Sequence, residues 1–441
     1  MSSASGRTPR TNLNLKEMAS RAHVGRVFLS VVFCTLFATY ANAQQDFPLT
    51  LAAAEDIAIE QEPGRDAMLA RAEAYDDESV AAGQMPDLKL RVGIANFPIQ
   101  SGGFTTEGMT QAQLGLRMEF PPGGSLEANT RQYESLAVEM RENADGRGRD
   151  VLTSVRQAWL DTYYWQRTHA IVDDVRPFFV DLATVTRSLY SVGRKSQQDL
   201  LRAELELSRI DDRLLDISNQ HSRAIAMLSE WIGREASRPV AENMPSWNEI
   251  PPLATLQSNL LSHPTVQAAN ARIEARDAGI NLAEEDYKSG WVWDLGYGYR
   301  DGYMPDGSPR SDFVSLSVTM DLPFFQENRQ DRKLSAAFSE RRAAKASKQE
   351  LLRRLNSRLE AEYAQFNELA RRIELYETQI LTLAGSNAQA SLVAYQSDAA
   401  DFADVMRAYI DDLNSRVDHT RLQVEQAKTF AVIANLGGIP R

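Results

Sequence analysis

Residues Trp291-Val-Trp-Asp-Leu-Gly-Tyr-Gly-Tyr299 and Phe313-Val-Ser-Leu-Ser-Val-Thr-Met-Asp-Leu322 alternate large apolar side chains with mostly polar or small ones. A period of two is typical of β-strands whose two faces meet different surroundings. The residues between them, 301–311, are rich in Gly, Ser, Pro and Asp, as in an exposed loop. The stretch therefore predicts two strands joined by a loop.

A second strand-loop-strand unit lies in the first half of the chain. Residues 87–94 and 113–120 alternate in the same way, with the loop 97–110 between them. Each predicted strand is about 9 to 11 residues long, which is the length that a tilted transmembrane β-strand needs. A soluble antiparallel sheet lying on a core would show the same alternation. The strands alone leave both interpretations open.

The two halves also share motifs at one constant offset. In order, Tyr190, Gly193, Asp199-Leu-Leu-Arg-Ala203 and Gly233 recur as Tyr395, Asp398, Asp404-Val-Met-Arg-Ala408 and Gly438. This agreement predicts an internal duplication. The predicted organisation is a signal peptide (1–43), a first repeat (44–240), a linker (241–262) and a second repeat (263–441). Each repeat is expected to contain a helix, two strands and a long helical hairpin.

Two stretches with very little glycine, at about 124–190 and 326–395, predict helices on the order of 100 Å long at 1.5 Å per residue. Only Pro177 interrupts them, and it predicts a bend or a short break. The helices that follow carry apolar residues in steps of three and four, which is the pattern of a coiled coil. Long antiparallel helical hairpins are therefore expected. These helices also allow an alternative, a periplasmic coiled-coil scaffold without a pore.

The N-terminus has the order of parts of a secretory signal peptide. Arg21 and Arg26 precede an apolar run at 27–40, and Ala41-Asn-Ala43 follows, so cleavage is expected near Ala43. Either Met1 or Met18 can serve as the start. The single cysteine, Cys34, lies within this segment, so no thiol chemistry is expected in the mature chain.

Composition excludes several functions. A formal charge of −12 speaks against a nucleic-acid partner, because nucleic-acid binding needs a basic surface. The sequence lacks a Ser/His/Asp or Cys/His set, a phosphate loop and metal-ligand spacing, so no enzyme, cofactor or bound metal is predicted. After the predicted signal peptide, the histidines are scattered at His169, His221, His263 and His419.

The strands can enter a membrane only as part of a shared barrel. The chain after the signal has no apolar run of the roughly 18 residues that a spanning helix needs. Every backbone polar group must be paired in lipid, and four strands are too few to close around a lumen. The apolar faces would then meet lipid, with Trp291 and Tyr299 among the interfacial aromatics. The predicted lumen residues are Arg117, Glu119, Asp294 and Arg300.

These features resemble the outer membrane efflux protein (TolC) family. The resemblance lies in the duplicated strands, Phe120-Pro-Pro-Gly123, Leu322-Pro-Phe-Phe325, the motifs around Tyr190 and Tyr395, and Leu436-Gly-Gly438. It implies a mainly α homotrimer with a twelve-stranded β-barrel in the outer-membrane lipid, an α-helical periplasmic tunnel and a mixed equatorial region. It also implies two partners, a periplasmic adaptor (membrane fusion) protein and an inner-membrane RND-type pump.

Two segments narrow the resemblance. Residues 82–89 and Met109-Thr-Gln111 are similar to the heavy-metal (CzcC/CusC-like) branch of the family. The expected function is therefore passive export of solutes, with heavy-metal cations as the predicted cargo, from the periplasm or cytoplasm to the outside. A passive duct need not bind what it exports.

The resemblance also places a periplasmic gate where the helices of each hairpin meet. A hydrogen bond between Tyr395 and Asp199 is expected to hold it closed, and rings of carboxylates around a three-fold axis would favour cations. Solvated loop acids are the alternative. The candidate gate residues are Tyr190, Arg194, Lys195, Asp199, Arg202, Tyr395, Asp398, Asp401, Asp404 and Arg407.

Overall fold

The computed structural model describes residues 48–397 and 399–439. The predicted signal peptide, Cys34 and the candidate gate residue Asp398 lie outside these residues. In the first half, the elements are α1 (Leu51–Glu60), α2 (Pro63–Ala82), β1 (Lys89–Ala95), β2 (Gln111–Phe120), α3 (Ser125–Ser191) and α4 (Gln197–Ile232). In the second half, they are α5 (Leu253–Asn259), α6 (Pro264–Glu285), β3 (Trp291–Tyr299), β4 (Phe313–Met320), α7 (Gln330–Leu375), α8 (Leu381–Gln396) and α9 (Phe402–Gly437).

The four strands form one antiparallel sheet in the order β1-β2-β3-β4. Strands from both halves meet at its centre, where Leu116 of β2 lies opposite Leu295 of β3. β2 and β3 have 10 and 9 residues, whereas β1 and β4 have 7 and 8 and are shorter than predicted. Within the described residues, β1 and β4 each pair on one side only, so the sheet has two open edges.

The long helices follow the predicted stretches. α3 has 67 residues and is continuous through Pro177, so the predicted short break does not occur, whereas the bend, its alternative, stays a prediction. A proline costs one backbone hydrogen bond. The aromatic contacts beside it offset that loss, since Phe178 stacks on Tyr409 at 3.7 Å and Phe179 is fully buried. A π-helical turn at Tyr376–Ile380 joins α7 to α8 and was not predicted. In the part of the chain that the structure describes, no helix is both long and apolar enough to cross a bilayer.

The apolar core lies among the helices, in three clusters along their length. One cluster surrounds Trp159 and includes Leu49, whose carbonyl oxygen accepts a 3.0 Å hydrogen bond from the Trp159 indole. A second cluster lies near the hairpin turns, and a third surrounds Phe366 and Phe430. The short helix α1, which the sequence analysis did not predict, is held in the first cluster by a buried ion pair between Glu55 and Arg156 at 2.5 Å.

Candidate functional site

The sheet has one face made almost entirely of large apolar side chains. The strand register brings the apolar positions of all four strands into common rows, such as Leu90, Leu116, Leu295 and Leu316. These side chains are not covered by the helices of the same chain, and Leu316 is 66% exposed. The face consists of Leu90, Val92, Ile94, Ala112, Leu114, Leu116, Met118, Phe120, Trp291, Trp293, Leu295, Tyr297, Tyr299, Val314, Leu316, Val318 and Met320.

The opposite face is polar and forms a trough of about 770 Å³. Three of the four predicted lumen residues share this face, because Arg117 lies opposite Asp294 and two residues before Glu119 on the same strand. Arg117 lies 3.9 Å from Asp294 and 3.8 Å from Glu119. Lys89, which lies opposite Arg117 on β1, forms a 2.6 Å ion pair with Glu119.

Arg300, the fourth predicted lumen residue, lies one position beyond the end of β3. Its guanidinium donates to the carbonyl oxygens of Ser311 at 2.7 Å and Gly108 at 3.1 Å, and it lies 3.8 Å from the Phe313 ring centroid. The side chain therefore joins the two strand-connecting loops. This loop contact was not predicted, because it depends on how the two loops pack.

Sequence reasoning did not include Lys89 and Arg91 among the lumen candidates. Both belong to the polar face and line the trough. The signal that could have identified them was present in the sequence, because they occupy the polar positions of the alternation in β1.

The first hairpin turn is organised by a capping box at the start of α4. The Ser196 hydroxyl oxygen accepts from the Asp199 backbone N–H at 3.2 Å, and the Asp199 carboxylate accepts from the Ser196 backbone N–H at 3.3 Å and from the Ser196 hydroxyl at 2.8 Å. Such a pair satisfies backbone donors that would otherwise lack partners at a helix start. Gly193 adopts a φ of +72°, which permits the turn, and Tyr190 is partly exposed before it. Arg202 follows within the first turns of α4.

The second hairpin turn, around 397–401, is built differently. Tyr395 is buried against Phe402, with ring centroids 5.8 Å apart, and Lys195 of the first turn lies 4.5 Å from the Tyr395 ring centroid. Asp401 occupies the N-cap position of α9 without a side-chain capping bond. Arg407 forms an exposed 3.3 Å ion pair with Asp404.

The predicted hydrogen bond between Tyr395 and Asp199 does not form within the chain. The Tyr395 hydroxyl is buried and has no hydrogen-bond partner among the described residues. The Asp199 carboxylate is instead bonded to Ser196, because the capping box provides a partner three residues away. Of the candidate gate residues in the first turn, Lys195 is the one whose contact with the Tyr395 ring the structure shows. A contact between subunits stays a prediction.

The histidines lie at three separate places in the helical body, with His169 close to His221. Burial lowers the pKa of His221, and the nearby His169 lowers it further. His419 of α9 lies 3.1 Å from Glu377, which belongs to the π-helical turn. His263 caps α6, and burial lowers its pKa as well. Within 48–397 and 399–439, no group of three or more His, Cys, Asp or Glu side chains has the arrangement of a metal site.

Comparison with solved structures places this architecture among known folds. A membrane protein from Pseudomonas aeruginosa has 15% sequence identity and a TM-score of 0.76, over 88% of this chain and 92% of that one. The outer membrane protein VceC from Vibrio cholerae has 18% identity and a TM-score of 0.73, over 88% and 96% of the two chains. CusC, which forms a transmembrane channel, has 13% identity and a TM-score of 0.74, over 88% and 91%.

No protein-family model and no curated protein sequence matches the chain. The structural similarity nevertheless covers most of the molecule. The chain therefore has the fold of outer-membrane channel proteins such as VceC and CusC, with a small antiparallel sheet at one end of long helices.

Proposed function

We propose that this protein is the outer-membrane channel subunit of a tripartite efflux system and acts as a passive export duct. The observation that carries the proposal is the sheet, which has one exposed apolar face, one polar face and two open edges. In water, such a face would be a large aggregation-prone surface. In a bilayer, the same face is stabilised by lipid.

The open edges support assembly from three copies. Backbone N–H and C=O groups that face hydrocarbon must be paired, and a closed barrel is the way in which strands achieve this. Three copies of four strands give a twelve-stranded barrel, which is within the size range of known outer-membrane barrels. The trough on the polar face then becomes part of the lumen.

The long helices support a periplasmic tunnel below this barrel. α3 spans about 100 Å at 1.5 Å per residue, so the hairpin turns lie far from the sheet. We infer that these turns form the candidate entrance, where a periplasmic adaptor and an inner-membrane RND-type pump would deliver cargo. The proposed location is the outer membrane, reached through a signal peptide cleaved near Ala43. Heavy-metal cations are the cargo that the resemblance predicts, although the charge of the strands on the polar face does not match them.

We also propose that the chain contains an internal duplication, which is supported by matching backbone hydrogen bonds and glycine conformations in the two halves. The same hydrogen bond, from one residue to the carbonyl five residues before it, occurs in both hairpin turns, as Arg194 to Leu189 and Ala399 to Ala394. In each half, the last long helix is followed by a glycine with positive φ, which is Gly233 at +58° in the first half and Gly438 at +65° in the second.

Planar-bilayer recording tests the proposal against the scaffold alternative. The mature protein should require detergent for purification and should insert into a bilayer to give discrete conductance steps. A protein that stays soluble and monomeric without detergent, and passes no current, would instead be the coiled-coil scaffold. Arg353→Gln, which removes an exposed charge on α7, is the control variant, and its insertion into the bilayer and its conductance should be unchanged.

A further inference from the structure

The polar face of the sheet is more positive than the protein as a whole. Lys89, Arg91 and Arg117 lie on it, against the carboxylates of Glu119 and Asp294. The whole chain, in contrast, has a formal charge of −12. Within the four strands, the polar face therefore has three cations against two carboxylates, a net charge of +1, whereas the chain as a whole is acidic.

Ion pairing leaves one of these cations uncompensated. Lys89 pairs with Glu119 at 2.6 Å, and Arg117 lies 3.8 Å from Glu119 and 3.9 Å from Asp294, so these two cations compensate the two carboxylates. Arg91 forms no ion pair with any described residue, and its side chain is exposed in the trough. Its guanidinium keeps its planar set of N–H donors available to a ligand.

The floor of the trough beside Arg91 is made of small residues. The row that contains Arg91 continues across the sheet as Gly115, Gly296 and Ser315. A Cβ atom on Gly296 would lie 2.7 Å from the Ser315 hydroxyl oxygen, and one on Gly115 would lie 3.8 Å from the Arg91 Cβ. The glycines thus keep open the space next to the guanidinium. The side chain of Gln113, in the next row, adds an amide donor on the same face.

We propose that this trough binds anions and makes the strand-built part of the passage favour anionic cargo. The inference rests on the proposed channel function, in which three copies of Arg91 would face one lumen. The fitting ligand class is small anions and organic acids with a carboxylate or phosphate group, which a guanidinium binds through paired hydrogen bonds. A ring of like charges in a narrow passage selects by sign. Bare metal cations, the cargo predicted from the sequence, do not match this charge.

Charges elsewhere do not reverse this conclusion. The exposed carboxylates of Glu107, Asp301 and Asp306 belong to the loops beyond one end of the strands, and those of Asp87 and Asp321 lie just beyond the other end. Charges in contact with bulk solvent are screened over roughly 10 Å. Asp312, at the start of β4, accepts hydrogen bonds from the Tyr297 hydroxyl and the Arg300 backbone N–H. Cations and carboxylates both occur at the hairpin turns, as in the ion pair of Arg407 with Asp404.

The test is the reversal potential of single channels in a potassium chloride gradient. The wild-type protein should show several-fold higher permeability for chloride than for potassium. Arg91→Gln should remove most of this preference, and Arg91→Glu should invert it. Added citrate, used as an organic anion probe, should block the wild-type channel and block Arg91→Gln much less.

Two further variants keep the test interpretable. Arg91→Lys retains the charge and should retain the preference for chloride, whereas Gln113→Arg adds a charge to the same trough and should increase it. A conducting wild-type channel that prefers potassium, or an Arg91→Gln variant with unchanged selectivity and citrate block, overturns the anion site while leaving the channel function intact. Absence of any conductance refutes the channel and the anion site together.

Discussion

The helical body and the sheet of this chain differ in how far they expose their apolar side chains to solvent. In the body, Trp159, Val155 and Leu228 are fully buried, with 0% exposure. In the sheet, Val92 and Leu316 are 73% and 66% exposed, although the strands pair in a regular register. The body therefore completes its own core, whereas the chain leaves the apolar face of the sheet uncovered; in the proposed channel, lipid would cover this face and strands of other copies would pair with its edges.

The difference is large in free energy. Full burial of a Val or Leu side chain is worth roughly 1.5–3 kcal/mol, and the apolar face holds many such residues that the chain leaves uncovered. Substitutions in the body should therefore change stability in any solvent. Substitutions on the apolar face should show their effect only when a bilayer is present.

Truncation of the central tryptophan should have the largest effect. Trp159→Ala removes a fully buried ring and the hydrogen bond from its indole to Leu49, and should destabilise the body by about 3–5 kcal/mol. Chemical unfolding in detergent, followed by the helical circular dichroism signal, measures the loss. The matched variant Trp293→Ala, whose ring is 49% exposed, should change the same midpoint far less. Equal losses in the two variants would contradict the comparison.

A charge on the apolar face should affect membrane insertion. Leu316→Arg places a guanidinium near the middle of the face, at a cost of about 2–4 kcal/mol for arginine near the bilayer midplane. The fraction of protein that resists urea extraction from membranes measures the effect. Ser317→Arg, one residue away but on the polar face, should be tolerated. If both variants insert equally well, the assignment of the two faces is wrong.

Acid should weaken the body through His263, which caps α6. Its Nδ1 accepts from the Thr265 backbone N–H at 3.3 Å, and its Nε2 lies 3.3 Å from the Asn435 side-chain oxygen, next to Arg149 and Asp150. Burial lowers the pKa of His263, so the folded state favours the neutral ring. The stabilisation is therefore present above the ordinary histidine pKa of about 6.5 and is lost as the pH falls below it.

The size of this acid effect should be about 1 kcal/mol, which is the value of a helix N-cap. Unfolding midpoints at pH 8 and pH 5 measure it. His263→Asn keeps a capping side chain that does not titrate in this range, so its midpoint should fall less between the two pH values. The same fall in the wild type and in His263→Asn would assign the pH dependence to other groups, such as His221.

The sequence predicted what depends on local periodicity. The strand alternation predicted both faces of the sheet, because each side chain points to the opposite side from its neighbour. The long helices followed from the scarcity of glycine and proline. Of the two alternatives at Pro177, the short break was wrong; beside the proline, Phe178 stacks on Tyr409, which is far away in the chain. Periodicity contains no information about such contacts.

The site was harder to predict for a related reason. Arg300 interacts with Gly108, almost half the chain away, through loop conformations that no local pattern specifies. The pairing of Asp199 with Ser196, in contrast, was available from the sequence, because Ser-x-x-Asp before a helix is a capping pattern. The resemblance instead assigned this aspartate to a gate and so predicted a distant partner, Tyr395, in place of the local one.

Tyr395→Phe should have the smallest effect and is the sharpest test of the gate. Within the chain, the hydroxyl is buried without a hydrogen-bond partner, while the ring packs on Phe402 and lies beside Lys195. Removing an unpaired buried hydroxyl costs almost nothing, so stability should change by less than about 0.5 kcal/mol. Lys195→Met, which removes the cation beside the ring, should cost about 0.5–1 kcal/mol.

The open probability of the channel in a bilayer tests whether the Tyr395 hydroxyl takes part in the gate. Buried polar groups in native structures almost always have hydrogen-bond partners, so a partner from another subunit is expected. An increase in Tyr395→Phe would mean that another subunit supplies the bond, whereas an unchanged open probability would remove Tyr395 from the gate.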